Sequence, residues 1–138
     1  MTPDPDSLRF YVDESALGIG KTLAAARRDT IHVGHPLILP ECPLGALDIE
    51  WMPAVAARDL VVIGRDKRIR SRPQELRYLK AAGLRVFEIG GKRDLPTWDW
   101  LTRLVRHWDH IEEIVRTRGP GPWFYVVNEN SVVELDVP

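Results

Sequence analysis

Residues 60–64 read LVVIG, an unbroken apolar run that ends against the charged segment RDKRIRSR. A run this short, with no polar alternation, fits a strand buried on both faces. Such strands lie in the middle of parallel sheets covered by helices. Three other short runs read as strands: residues 8–12 (LRFYV), 30–33 (TIHV) and 84–89 (LRVFEI). Segments of helical length separate them. The first spans residues 16–28, weakened at its start by Gly18 and Gly20, and the second spans 48–58. The third opens on Pro73, a residue suited to the first helical position, and stops at Gly83. A single longer helix is expected over residues 97–116. Its apolar stripe is Trp98, Leu101, Leu104, Val105, Trp108, Ile111, Ile114 and Val115. After the breaker GPGP, the segments WFYVV and VVELDV flank NENS and predict a terminal hairpin. The order β-α-β-α-β-α-β-α-β-β predicts an α/β fold with a mostly parallel central sheet, helices on both faces and a C-terminal β-hairpin. The chain shows no internal repeat, and its 138 residues suit one domain, with residues 1–7 expected to be a flexible tail.

A hydrophobic content of 44% and a charged content of 28% are those of an ordinary globular protein. The lone cysteine, Cys42, excludes an internal disulfide and fits a reducing compartment. No apolar run approaches the ~18 residues that span a bilayer. The opening MTPDPDS lacks the pattern of a signal peptide, so a cytoplasmic protein without a membrane segment is expected. The net charge of −1 conceals an asymmetry. Residues 1–50 carry −4, residues 51–100 carry +5 and the remainder carries −2. The basic excess centres on Arg65, Lys67, Arg68, Arg70 and Arg72. A polyanion would be drawn to such a strip, whereas the plainer reading is a solvated loop.

Three aspartates stand where an α/β sheet presents ligands. Asp13 ends the first strand, Asp66 follows LVVIGR, and Asp48 opens a helix. A strand that ends in an acid delivers its carboxylate to the carboxyl edge of the sheet, where open α/β folds bind ligands. Converging carboxylates repel one another and suit a hard cation, Mg²⁺ or Mn²⁺, that also meets phosphate oxygens. Each acid alone has a plain structural role: Asp48 as a helix cap, Asp13 and Asp66 as turn residues. The joint pattern favours the functional reading. Glu14 and Glu50 stand beside two of these acids as further candidate ligands. On a helix Glu50 points away from Asp48, so Asp48 is expected to be the inward one.

Other motifs carry less. SALGIGKT, residues 15–22, resembles a phosphate-binding loop, but Ser15 replaces the first glycine and the preceding acids would repel phosphate. Gly18 and Gly20 then read as a flexible entry to the first helix. His107, Asp109 and His110 lack a third strong ligand for zinc, and there is no G-x-S-x-G elbow for a hydrolase. Trp98 and Trp108 are expected in the core. Trp51 lies next to the acids, where core packing is again the expected role.

Three stretches resemble a PIN-like domain, most closely the small VapC-type toxins of type II toxin–antitoxin systems. The first is FYVDESALGIGKTLAAAR. The second runs from DIEWMPAVAARD through LVVIGRDKRIRSRPQEL to LRVFEI. The third is GPGPWFYVVNENSVVEL. The resemblance implies a three-layer α/β/α fold and a Mg²⁺- or Mn²⁺-dependent endoribonuclease with Asp13, Asp48 and Asp66 as catalytic and metal-binding acids. It also implies an RNA substrate met by Arg65, Lys67, Arg68, Arg70 and Arg72, and a cognate antitoxin encoded nearby. A second copy of the chain is a further partner to consider. The sequence departs from the family in one respect. The glutamate that the family often carries on a helix between its first two acids has no direct counterpart: only Glu41 lies in the loop of that connection, and Glu14 is the candidate substitute. This departure feeds an alternative, a catalytically weak or inactive PIN-like binding or regulatory subunit. A phospho-accepting acid-pocket domain is also conceivable from YVDES, but the lysine and threonine strand ends it needs are not apparent.

Overall fold

The computed structural model describes residues 3–35, 42–65, 68–92 and 94–138, with Arg68 described by its backbone alone. Six strands form one sheet in the order β2-β1-β3-β4-β5-β6. They are β1 (Phe10–Val12), β2 (Thr30–His32), β3 (Val61–Gly64), β4 (Arg85–Ile89), β5 (Trp123–Val127) and β6 (Val132–Leu135). The first five run parallel, and β6 pairs antiparallel with β5 as the predicted hairpin. The helices are α1 (Leu17–Ala26), α2 (Asp48–Ala57), α3 (Arg68–Ser71), α4 (Pro73–Ala82), α5 (Thr97–Arg106) and α6 (Trp108–Arg118).

Side chains alternate along each strand and sort into two cores. Tyr11, Ile31, Val62, Val86 and Phe124 face one side, where Trp51, Met52 and Val55 of α2, Ile69 of α3 and Leu79 of α4 cover them. Phe10, Val12, Ile63, Phe87, Ile89 and Trp123 face the other side, under Ile19 and Leu23 of α1, Trp100 and Leu104 of α5 and Ile111 and Ile114 of α6. Period-two alternation in a sheet covered twice makes most strand residues apolar. That accounts for the reading of LVVIG. Pro73 opens α4 and Gly83 caps it, as predicted.

The sheet order also places the ligand crevice. The chain steps from β1 outward to β2, then returns past β1 to β3 and on to β4. The direction of winding therefore reverses between β1 and β3. Adjacent crossovers leave on opposite faces there and open a crevice at the carboxyl edge. Residue 13 follows one of these two strands and residue 65 the other.

Three expectations need correction. Residues 4–7 are not a loose tail: Pro5–Ser7 forms a 3-10 turn capped by Asp4, whose amide donates to the Arg28 carbonyl at 2.9 Å. The single helix over 97–116 is two helices that break at His107, where φ is −103° and ψ 10°. The inward face of α5 is also not the expected one. Trp100 is buried at 2% exposure, whereas Trp98 is 70% exposed and Val105 lies on the surface with it. Lastly, Gly20 is a packing residue rather than a flexible entry. A Cβ there would lie 2.8 Å from His32 Cβ and 3.0 Å from Val12 Cβ, so its bare backbone lets α1 settle on β1 and β2. Among the described residues, no helix is long and apolar enough to cross a membrane.

Candidate metal and nucleic-acid site

Asp13 is built into the end of β1. Its amide donates to the Ile63 carbonyl at 3.0 Å, which carries the β1–β3 pairing one step beyond the strand. Its side chain caps the 3-10 turn Glu14–Ala16: Oδ1 accepts from the Ser15 amide at 3.0 Å and from the Ser15 hydroxyl. That hydroxyl in turn accepts from the Arg65 amide at 2.8 Å, so Ser15 ties the ends of β1 and β3 together. The Asp13 side chain lies over Gly64 and is almost fully buried. A Cβ at residue 64 would come within 2.8 Å of Oδ2 and 2.9 Å of Oδ1. Only glycine leaves room for this carboxylate.

Asp48 is the first residue of α2, and its Oδ1 accepts from the Trp51 indole Nε1 at 2.9 Å. Glu14 reaches across to the loop before α2, where its Oε1 accepts from the Gly45 amide at 2.9 Å. Glu50 faces the other way, accepting from the Leu47 amide at 3.3 Å as a cap of its own helix. A cavity of about 240 Å³ opens among these groups, lined by Tyr11, Asp13, Glu14, Ser15, Asp48 and Trp51 with a few apolar neighbours. Asp13, Glu14 and Asp48 thus share one cavity, and Glu50 lies outside it. The Tyr11 hydroxyl is pushed far above the usual phenol range, first by burial and then by Cys42, Asp13 and Glu14. It stays protonated and serves as a neutral wall. Asp66, the third expected acid, lies outside the described residues, as does Glu41.

The oxygen groups lining the cavity are carboxylates and the hydroxyls of Tyr11 and Ser15, with no imidazole or thiolate among the described lining residues. That chemistry suits a hard divalent cation and offers little to a soft one. Among the described residues, no group of three or more His, Cys, Asp or Glu stands close enough to hold a metal. Asp13 and Asp48 are the described pair from which such a site would start.

A family model described as a PIN like domain matches residues 8–91, more than half of the chain. The chain belongs to the PIN-like domain family. PIN domains are in general nucleases, typically with divalent metal ions. The PIN-like match spans β1 to β4, and therefore both strand ends at the crevice. No curated protein and no solved structure matches the chain.

The basic strip is not one surface. The Arg65 guanidinium lies 4.0 Å from the centroid of Trp100, on the α5 side of the sheet. Arg70 turns to the opposite side, where it donates to the Asp136 carbonyl at 3.2 Å and lies over Phe124. Arg72 pairs with Glu75 at 3.5 Å. Lys67 and the Arg68 side chain lie outside the described residues.

Sequence reading missed three features of this PIN-like site. In sequence Ser15 reads as a defect in a phosphate loop, although a serine two residues after an aspartate is a usual partner in a side-chain-capped turn. Gly64 carried no signal beyond ending an apolar run. Glu88 is a further acid at the carboxyl edge, 5% exposed, in register with Gly64 and two residues beyond Val86 on the same face. A lone glutamate within LRVFEI was the available clue, since glutamate is rarely buried without a purpose.

Gly64→Ala checks the cradle directly. The added methyl group is expected to displace the Asp13 carboxylate and to cost about 1–3 kcal/mol through overpacking. Chemical denaturation measures it, and a variant as stable as the parent would mean that Asp13 does not lie over residue 64.

Proposed function

We propose that this protein is a Mg²⁺- or Mn²⁺-dependent endoribonuclease, the toxin of a type II toxin–antitoxin pair acting in the cytoplasm. The observation that carries the reading is the pair Asp13 and Asp48 on one polar cavity, at the β1/β3 switch point of a PIN-like chain. Asp13 and Asp48, with Asp66, would hold the ion, and Glu88 stands on the same sheet face. A bound divalent ion would lower the pKa of a coordinated water and offset charge on a phosphodiester. The chain's own part is to fix these carboxylates before substrate arrives. Ser15 holds Asp13, and Tyr11 closes the floor without competing as a base. Arg65, Lys67 and Arg68 would neutralise backbone phosphates and confer little sequence choice.

Metal binding is tested by calorimetry and thermal denaturation with Mn²⁺. Ligand that binds only the native state at 100 times its Kd adds about 2.7 kcal/mol, a rise of several degrees in melting temperature. No heat and no shift at millimolar Mn²⁺ would remove the metal site. The toxin role is tested by expressing the chain alone and together with the product of its neighbouring reading frame. Growth arrest relieved by the neighbour is the expected result.

The RNA path gives a second measurement. For single strands the slope of log affinity against log salt is about −0.7 per phosphate contact. Replacing Lys67 and Arg68 together by Gln should flatten it by about 1.4. Arg70→Gln should leave it unchanged, because Arg70 already donates to the Asp136 carbonyl. The reverse ranking would move the RNA to the side of α3 and the C-terminal segment.

One observation favours a second reading, a PIN-like binding subunit without nuclease activity. Glu14 and Glu50 are each committed to a backbone amide, which leaves the described acid set sparse. The same metal titration separates the two readings.

A further inference from the structure

Asp48 occupies the first position of α2, where the ordinary partners of a carboxylate are the free amides of its own first turn. Its Oδ1 instead accepts from the indole Nε1 of Trp51, 2.9 Å away. Residues 48 and 51 are neighbours on a helix face, so the bond is within easy reach. What sets its direction is the other side of the indole. Trp51 is 7% exposed and stacks on Tyr11 with centroids 5.6 Å apart and planes inclined by 28°. Tyr11 belongs to β1, two residues before Asp13, and is itself buried. The ring therefore cannot turn without disturbing the core, and its single N–H is aimed at one place. A continuous rigid path runs from the strand that carries Asp13, through Tyr11 and Trp51, to the carboxylate of Asp48.

We infer that Trp51 is a positioning residue: its indole N–H fixes the Asp48 carboxylate at a set separation from Asp13, and so tunes the affinity of the cavity for a divalent cation. The inference rests on the proposed metal site. Groups that orient a metal ligand through a hydrogen bond commonly change affinity 10–100-fold when removed. A purely structural tryptophan would need only some acceptor for its buried N–H. A backbone carbonyl would serve that need, as Gly119 serves Trp123 and Leu95 serves Trp100. Trp51 spends its donor on a charged side chain facing a polar cavity.

The test is a double-mutant cycle read by Mn²⁺ calorimetry on the parent, Trp51→Phe, Asp48→Asn and the double variant. Phenylalanine keeps the stack on Tyr11 and removes the N–H. The expected result is about tenfold weaker Mn²⁺ binding in Trp51→Phe, with no further loss when the same change is made in the Asp48→Asn background. Equal affinity in parent and Trp51→Phe, or the same loss in both backgrounds, would overturn the inference and leave the metal site standing. A parent that binds no Mn²⁺ overturns the metal site, and the inference falls with it. A measurement that needs no change at Trp51 runs alongside. Of the five tryptophan indole N–H resonances, the one displaced by Asp48→Asn should be the one that shifts when Mg²⁺ is added to the parent. Separate resonances responding to the two perturbations would overturn the assignment.

Discussion

Asp13→Asn should abolish RNA cleavage while leaving the fold intact. The amide oxygen can still accept from the Ser15 amide and hydroxyl, so the capped turn survives. The negative charge that would hold the cation does not. Losing several kcal/mol of charge stabilisation corresponds to a fall in rate on the order of 10³-fold. Melting temperature without metal should move by no more than a few degrees. Glu50→Gln is the control. Its carboxylate caps α2 away from the cavity, so cleavage should persist and stability should fall by well under 1 kcal/mol. Equal losses in the two variants would mean that the cavity is not the reaction site.

Gly20→Ala should give the largest loss of stability in the first helix. The new methyl group meets Cβ atoms of His32 and Val12, which cannot swing aside as the end of a long chain could. Overpacking of this kind costs about 1–3 kcal/mol, and the rigid partners argue for the upper end. Gly18→Ala, with its nearest neighbours at 3.5 Å, should be neutral or slightly stabilising. Urea denaturation of the pair distinguishes a packing glycine from a phosphate-binding one, which would change ligand affinity with little effect on stability.

The sheet was legible because burial on both faces leaves a clear trace. Runs such as VVI in β3 admit few other readings, and Pro73 and Gly83 bracket α4 in sequence as in space. The region after β4 was harder. Trp98 and Trp100 are two residues apart, and either can head an apolar stripe that passes through Leu104. Periodicity alone cannot choose between them. The break at His107 has no proline or glycine to announce it, so two helices read as one. At the site, the positions of Asp13 and Asp48 followed from where strands end and helices begin. The roles of Ser15, Gly64 and Trp51 did not, because each depends on what another segment brings to within 3 Å. The same limit hid the division of the arginines: RDKRIRSR is continuous in sequence, yet Arg65 and Arg70 are carried to opposite sides of the sheet.

Both cores draw on the two halves of the chain, which has a consequence for its modularity. The acids at the crevice lie within the family-matched span, residues 8–91. Much of the second core does not: Ile19 and Leu23 of α1 fall inside the span, but Trp100, Leu104, Ile111 and Ile114 come from α5 and α6, and Trp123 and Val127 from β5. A fragment ending at residue 91 would keep the carboxylates and leave Ile63, Phe87 and Ile89 open to water. The segment that carries the proposed site is thus not a unit that could be transplanted alone. Changes far along the chain, in α6 or β5, can distort the crevice without ever touching it.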